Sequence, residues 1–423
     1  MKKTSSARSR IRSSDLPEVL KASQSRLSAR AQSLVQSYIF ALMVRGFPKT
    51  LTTIATYFGL SICSLSRLLS NPFLGEELDI ALNRQVRRAI ANYFNKNSNH
   101  TISVRIIIDA TTVERFSQKA ENVGLYHSNG TKVWGHRLTN VGLLLDGTFY
   151  IPLAVLPHQT RRYARHLGLS YLTEGVMVRH WLRSHMLGLF DLLKAGAIKP
   201  ENVLFLLDAG YDNAAIQKDI RSLGGHFVMM IKCSRKIGGM NVKKYFLKMR
   251  NLGWQSVHLK KKVNKKNKRR KFRIRIAEKV LLAGVGTVTA VCSEKASGSR
   301  KKKTRRYLAC SQLDLSGREI LEAYSKRWTI EVWHKDMKQN YGLGDCSASE
   351  FTSINNHLKL CLIAYIFHLQ DLKTLPAKGT TIEEYAQYVA KKETRRNFTI
   401  IHGAKKIDEA IKKDKEKIFR RAA

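Results

Sequence analysis

The amino-acid sequence predicts an α/β fold: a sheet in the middle of the chain, a β-rich insertion within it, and helices at both ends. Two observations locate the sheet. Residues 104–108 and 203–207 are continuous apolar runs, and each is followed at once by an acid, Asp109 and Asp208. Runs of this length without polar alternation are the pattern of strands buried on both faces. Between them, residues 132–145 and 149–156 flank Asp146-Gly147, a dipeptide suited to a two-residue hairpin turn because both residues tolerate positive φ. Helical periodicity follows at 175–194 and 213–223.

The predicted succession is three strands, the latter two a hairpin, then helix, strand and helix. That is the order of a ribonuclease-H-like core, in which the first and fourth strands can be neighbours and would bring Asp109 and Asp208 within reach of one another. Upstream, residues 33–97 are helical in pattern. Within them Ala55, Gly59, Ile62, Leu65 and Leu68 fit two helices joined by a tight turn, with Gly59 supplying positive φ. Such a helix-turn-helix would offer Ser61, Ser64 and Arg67 to a DNA groove, although a compact helical hairpin with no DNA role has the same spacing.

Downstream, residues 225–310 read as the insertion. Residues 260–271 hold nine basic residues in twelve, among them Lys265, Lys266, Arg269 and Arg270, and residues 300–306 hold six in seven. Charge this dense cannot pack. Because 272–276 alternate apolar residues with Arg, the first run belongs at a hairpin tip that leads into a strand with one basic face. Solvated loops of this kind need no function, but two in one insertion suit a phosphate backbone. The expected organisation is a basic arm (1–30), a helical, helix-turn-helix-like region (31–100), a catalytic core in two parts (101–225 and 311–373) around the insertion (226–310), and a basic helical tail (374–423).

Composition narrows the partner. Lys plus Arg outnumber Asp plus Glu by 75 to 32, a formal charge of +43 that repels itself unless a polyanion shares the surface. No apolar run reaches the roughly 18 residues of a membrane span, and the basic start has no apolar stretch of a secretory signal behind it. A nucleic acid in the cytoplasm is therefore expected, with no membrane partner. The six cysteines show no metal-binding spacing, and reduced thiols are expected.

The third informative stretch is 324–338. Tyr324, Arg327, Glu331 and Lys338 fall at offsets of three, four and seven, which on a helix places all four within roughly a quarter of the circumference. Ile330, Trp333 and Met337 lie toward the other side, as the buried stripe of an amphipathic helix. An exposed face with an i,i+4 Arg–Glu pair has the same pattern. One carboxylate beside an Arg and a Lys also suits a metal ligand next to a phosphate clamp. Asp109, Asp208 and Glu331 gathered together would repel one another, and two magnesium ions would remove that cost while supporting in-line phosphoryl displacement.

These residues carry a resemblance. Tyr324-x2-Arg327-x3-Glu331-x6-Lys338 matches the Y-x2-R-x3-E-x6-K signature of a group of bacterial insertion-sequence transposases with a DDE triad (insertion sequence four-like). Ile108-Asp109-Ala-Thr-Thr112 and Leu207-Asp208-Ala-Gly-Tyr211 resemble the two Asp motifs of that group. The resemblance spans residues 100 to 370. It implies a ribonuclease-H-like domain in which Asp109, Asp208 and Glu331 bind two Mg2+ ions, with Mn2+ able to substitute. It further implies binding to double-stranded DNA at the element ends and to target DNA, cleavage and strand transfer, a homodimer in the synaptic complex, and a nucleoid-associated location. Tyr324, Arg327 and Lys338 would contact phosphates. Trp328, about 40° beyond the Tyr324 edge of the polar stripe, would stack on an unpaired base, with ordinary core packing as its alternative. Two other functions compete: a helix-turn-helix regulator with a degenerate core, and a structure-selective nuclease that cuts without joining.

Overall fold

The structure, a computed structural model, describes residues 25–43, 48–128, 130–249, 251, 253–263, 266–295 and 305–371. The helices are α1 (Ala29–Met43), α2 (Leu51–Phe58), α3 (Ile62–Leu69), α4 (Leu74–Lys96), α5 (Arg161–His166), α6 (Glu174–Leu193), α7 (Ala214–Ser222), α8 (Val242–Lys248), α9 (Gly317–Ser325), α10 (Trp328–Asn340) and α11 (Phe351–Asp371). The strands are β1 (Val104–Glu114), β2 (Gly124–Ser128), β3 (Thr131–Leu145), β4 (Phe149–Pro157), β5 (Val203–Leu207), β6 (His226–Ile231), β7 (Lys236–Ile237), β8 (Met240–Asn241), β9 (Gln255–Val263), β10 (Lys266–Leu282), β11 (Gly286–Lys295) and β12 (Arg305–Cys310). The chain divides into two compact units. One holds the residues up to Leu82 with Met337–Ala348 and those from Thr352 onward; the other holds Asn83–Asp336 with Ser349–Phe351. No described helix is long and apolar enough to cross a membrane.

The first unit is helical. Thr50 caps α2 by accepting from the Thr53 amide, and α2 ends at Gly59, whose φ of 62° places it in the left-handed region that the tight turn needs. Ser61 then caps α3 through the Ser64 amide. Leu65, Leu68 and Leu69 of α3 are buried with Ile54 of α2. Within this unit α11 is tied down by its polar side chains: Asn356 Nδ2 donates to the Leu69 carbonyl at 2.8 Å, and the Tyr38 hydroxyl meets His357 Nδ1 at 2.9 Å.

The second unit is built on one mixed sheet. β1 pairs antiparallel with β3 and parallel with β5, β5 pairs parallel with β6, and β4 lies on β3. The order β4-β3-β1-β5-β6 is consistent with a ribonuclease-H-like core, and the sheet continues antiparallel through β12, β11 and β10. Asp146 and Gly147 have φ of 49° and 66°, and the Thr148 amide donates to the Leu145 carbonyl, so the β3–β4 hairpin closes on the primed turn that the dipeptide favours.

Two local features differ from the sequence pattern. β1 runs past Asp109 to Glu114, because the fifteen-residue β3 pairs with it to the end. Gly135 permits that last pair, since a Cβ there would stand 2.2 Å from the Val113 carbonyl oxygen. The second difference is that 324–338 is two helices. Lys326 and Arg327 form a turn between α9 and α10 in which the amides of Arg327, Thr329 and Ile330 bond three residues back, to Tyr324, Lys326 and Arg327. A tight turn of this kind needs no Gly or Pro and barely shifts the apolar phase, so periodicity does not reveal it. Ile330, Trp333 and Met337 are buried as the pattern requires.

Candidate active site

The strand register sets the first two carboxylates side by side. Ile108 pairs with Leu207 in the last parallel step of β1 and β5, so Asp109 and Asp208 follow on adjacent strands, whose usual spacing is about 4.8 Å. Glu331 arrives in the first turn of α10. Arg327 joins it to the sheet: Nη1 donates to Asp109 Oδ2 and Nη2 to Glu331 Oε1. The Tyr324 hydroxyl, at the end of α9, donates to Asp208 Oδ1 at 3.4 Å. Asp109, Asp208, Tyr324 and Glu331, from three separate stretches of the chain, thus gather around the Arg327 guanidinium.

The cluster is short of positive charge. Burial pushes the Asp109 carboxyl up to about 6; the charges of Asp208 and Glu331 add to the rise, while Arg327 and the Ala110 amide oppose it. Charge counting alone sets one guanidinium against three carboxylates. For Arg327 burial disfavours the charge, yet Asp109, Tyr324, Asp208 and Glu331 outweigh it and hold the guanidinium firmly protonated. Burial also pushes the Tyr324 hydroxyl up, so it stays a neutral donor.

The donor set has the chemistry of a hard divalent cation site. Every acid in it offers carboxylate oxygen, and Asn140, in register with Asp109 across β1 and β3, adds a buried Oδ1 with no hydrogen-bond partner among the described residues. The Asn140 Nδ2 donates to His334 Nε2 at 2.8 Å and to the Leu138 carbonyl at 3.2 Å, so the orphaned atom is the oxygen. Among the described residues no trio of His, Cys, Asp or Glu stands close enough to grip one ion. Arg327 bridges Asp109 and Glu331 and takes the part of a cation between them.

The other expected site residues are placed as follows. Trp328, the first residue of α10, is 57% exposed and not a core residue. Lys338 is in the last turn of the same helix. In the first unit Ser61 accepts from the Ser64 amide as a helix cap, and Arg67 is exposed. Arg270 is exposed on β10 opposite Leu259 of β9. Lys266 and Arg269 belong to the backbone of β10, with side chains outside the described residues, and Lys265 lies outside them altogether.

Pattern reading misses four neighbours of the cluster. Asn140 and His334 join β3 to α10, one turn beyond Glu331. Glu174 and Tyr211 meet beside Asp208, where the Tyr211 hydroxyl donates to Glu174 Oε1 at 2.6 Å. Only the position of Tyr211, three residues after Asp208, was a usable signal.

The two acids that follow the last parallel pair of β1 and β5, and the acid on the returning helix, all fall within a single family match. No curated protein matches the chain. Residues 101–367 match the family described as the transposase DDE domain, and that span is more than half of the sequence. The chain therefore belongs to the transposase DDE domain family.

Proposed function

We propose that this transposase binds the terminal inverted repeats of an insertion sequence of the Y-x2-R-x3-E-x6-K group and catalyses Mg2+-dependent cleavage and strand transfer. The observation that carries the reading is that Asp109 and Asp208 each follow the last parallel pair of β1 and β5, with Glu331 tied to Asp109 through one arginine. Asp109, Asp208 and Glu331 are the residues that would hold the metal. A pair of Mg2+ ions there would activate the attacking hydroxyl and stabilise the departing oxygen.

The side chains of this chain do the rest. Arg327, released from the carboxylates, becomes a bidentate grip for a backbone phosphate at the scissile position. Tyr324 stays protonated and donates, first to Asp208 and then to a phosphate oxygen. Trp328 offers an exposed indole on which a displaced base can stack, and Lys338 adds a phosphate contact. Ser64 and Arg67 of α3, with Arg270 and the basic run around it, supply further DNA contacts, and a homodimer handles the two ends together.

The test uses a duplex carrying one element end, identified as the inverted repeat that flanks the gene. Incubation with Mg2+ should nick it and, with target DNA present, yield joined products. Binding without nicking would favour a regulator, and nicking without joining a nuclease.

A further inference from the structure

We infer that Tyr211 and Glu174 are positioning residues for Asp208, fixing through its backbone a carboxylate that side-chain contacts leave loosely held. The inference rests on the reading of Asp208 as a metal ligand. The three acids are held in different ways. Asp109 is gripped by Arg327 and by the Ala110 amide, and Glu331 by Arg327. Among the described residues the hydrogen bond on the Asp208 carboxylate comes from the Tyr324 hydroxyl at 3.4 Å, beyond the usual range for an O–H donor. Where Asp208 points is therefore decided by the turn that carries it.

That turn is a single 3-10 step, Ala209–Tyr211, closed by the Tyr211 amide donating to the Asp208 carbonyl at 3.0 Å. Its far end is pinned twice, at Tyr211 and at Asp212. Tyr211 is buried, and its hydroxyl donates to Glu174 Oε1 at 2.6 Å and meets Thr139 Oγ1 at 3.1 Å. Thr139 is the β3 residue opposite Ala110, one step from Asp109. Asp212, the next residue, accepts from the Lys232 amide at 2.8 Å and from Gln217 Nε2 at 3.2 Å.

Glu174 is itself fixed in the first turn of α6, beyond the Thr173 cap. It also accepts from Arg137 Nε at 3.4 Å, and His158 Nε2 lies 3.7 Å away. A short charge-assisted bond to a half-buried carboxylate is a restraining tether. Groups that orient a metal ligand without touching the ion are worth about 10- to 100-fold in metal affinity.

The experiment titrates Mn2+ into the full-length, DNA-free protein by calorimetry. Tyr211→Phe keeps the ring and deletes the tether; Glu174→Ala deletes it from the other side, and Glu174→Gln leaves an acceptor in place. Tyr211→Phe and Glu174→Ala should each weaken Mn2+ binding about tenfold, with no further loss in the double variant. Glu174→Gln should stay within about threefold of wild type, being the conservative rescue. Binding of end DNA should be unchanged, and the cleavage rate of Tyr211→Phe should return to near the wild-type value at saturating Mn2+.

Asp208→Asn separates the two levels of the argument. Wild-type Mn2+ affinity in Tyr211→Phe and Glu174→Ala, alongside its loss in Asp208→Asn, would overturn the positioning role and leave the metal site standing. Mn2+ binding that Asp208→Asn does not weaken would overturn the site and this inference with it. If Tyr211→Phe fails to fold, the contrast between Glu174→Ala and Glu174→Gln decides the same question.

Discussion

Two charged clusters in the same unit are balanced in opposite ways. Around Arg327 one guanidinium faces three carboxylates. In the extended part of the sheet one carboxylate, Glu294, receives two guanidiniums: Arg273 donates to its Oε1 and Arg305 to its Oε2. There the indole of Trp254 lies under Arg273, Arg275 and Arg305, with distances to the ring centroid of 5.1, 4.5 and 5.6 Å. Burial pushes both carboxyls up. At Glu294 the hydrogen bonds from Arg273 and Arg305 win and hold it below the usual range, whereas at Asp109 burial wins. The two carboxylates differ in how deeply they are desolvated and in cation supply. The Glu294 cluster is complete as it stands and is structural; the Asp109 cluster has a surplus of anionic oxygen that another cation would satisfy.

The comparison is broken most severely by removing an acid from the deficient cluster. Glu331→Ala should lower Mg2+-dependent nicking by on the order of 10³-fold or more while leaving DNA binding largely intact, since a metal ligand is lost and no phosphate grip is. Nicking at the wild-type rate would remove Glu331 from the site. Glu294→Gln, the matching change in the other cluster, should leave the Mg2+ requirement of nicking untouched.

Next in size is removal of the shared cation. Arg327→Ala leaves Asp109 and Glu331 unneutralised, which should destabilise the metal-free protein by about 3 kcal/mol in denaturant unfolding. Mn2+ should recover most of that loss, because it replaces the missing charge. The same variant should bind end DNA more weakly and with a salt slope shallower by about one, reflecting one fewer neutralised phosphate. A stability loss that Mn2+ does not restore would remove the neutralising role, and an unchanged slope would remove the phosphate contact. Glu294→Gln, which keeps the shape and loses the charge on which two arginines converge, should cost about 1–3 kcal/mol with no Mn2+ rescue.

The smallest effects are in pH dependence, and their signs differ. The folded protein holds the Asp109 proton more tightly than the unfolded chain, at about 6 against 3.8. The stability this contributes is full at low pH and is lost as pH rises through about 6 in the metal-free protein. Because a metal competes with that proton, Mn2+ affinity should climb over the same window. Glu294 is depressed instead, so its contribution is present above the ordinary carboxylate range and is lost as pH falls. Glu294→Gln should therefore flatten the acid limb of the stability curve, and Asp109→Asn the limb near 6. Identical limbs in both variants would erase the contrast.

How much of this could be read beforehand depended on whether the signal was local. The five apolar residues of β5 marked both the strand and Asp208, and Asp146-Gly147 marked its hairpin, because each uses contiguous chemistry. Asp146 itself binds Tyr93, His100 and the Ser103 amide, an acid serving a turn, so a strand-adjacent Asp alone identified nothing. The spacing of Tyr324, Arg327 and Glu331 was legible, but the turn between α9 and α10 was not, and neither was the inward aim of Arg327 toward Asp109. The partnerships of Asn140 with His334 and of Tyr211 with Glu174 depend on strand register and helix docking, and a Glu in the first turn of a helix is ordinary on dipole grounds alone.

The most direct measurement is a crystal structure of the full chain with an element-end duplex and Mn2+, with anomalous scattering used to place the metal. The account predicts Mn2+ peaks contacted by oxygens of Asp109, Asp208 and Glu331, with Arg327 turned away from them onto a DNA phosphate. A DNA-bound structure in which Arg327 still bridges Asp109 and Glu331, with no Mn2+ peak beside Asp208, would contradict it.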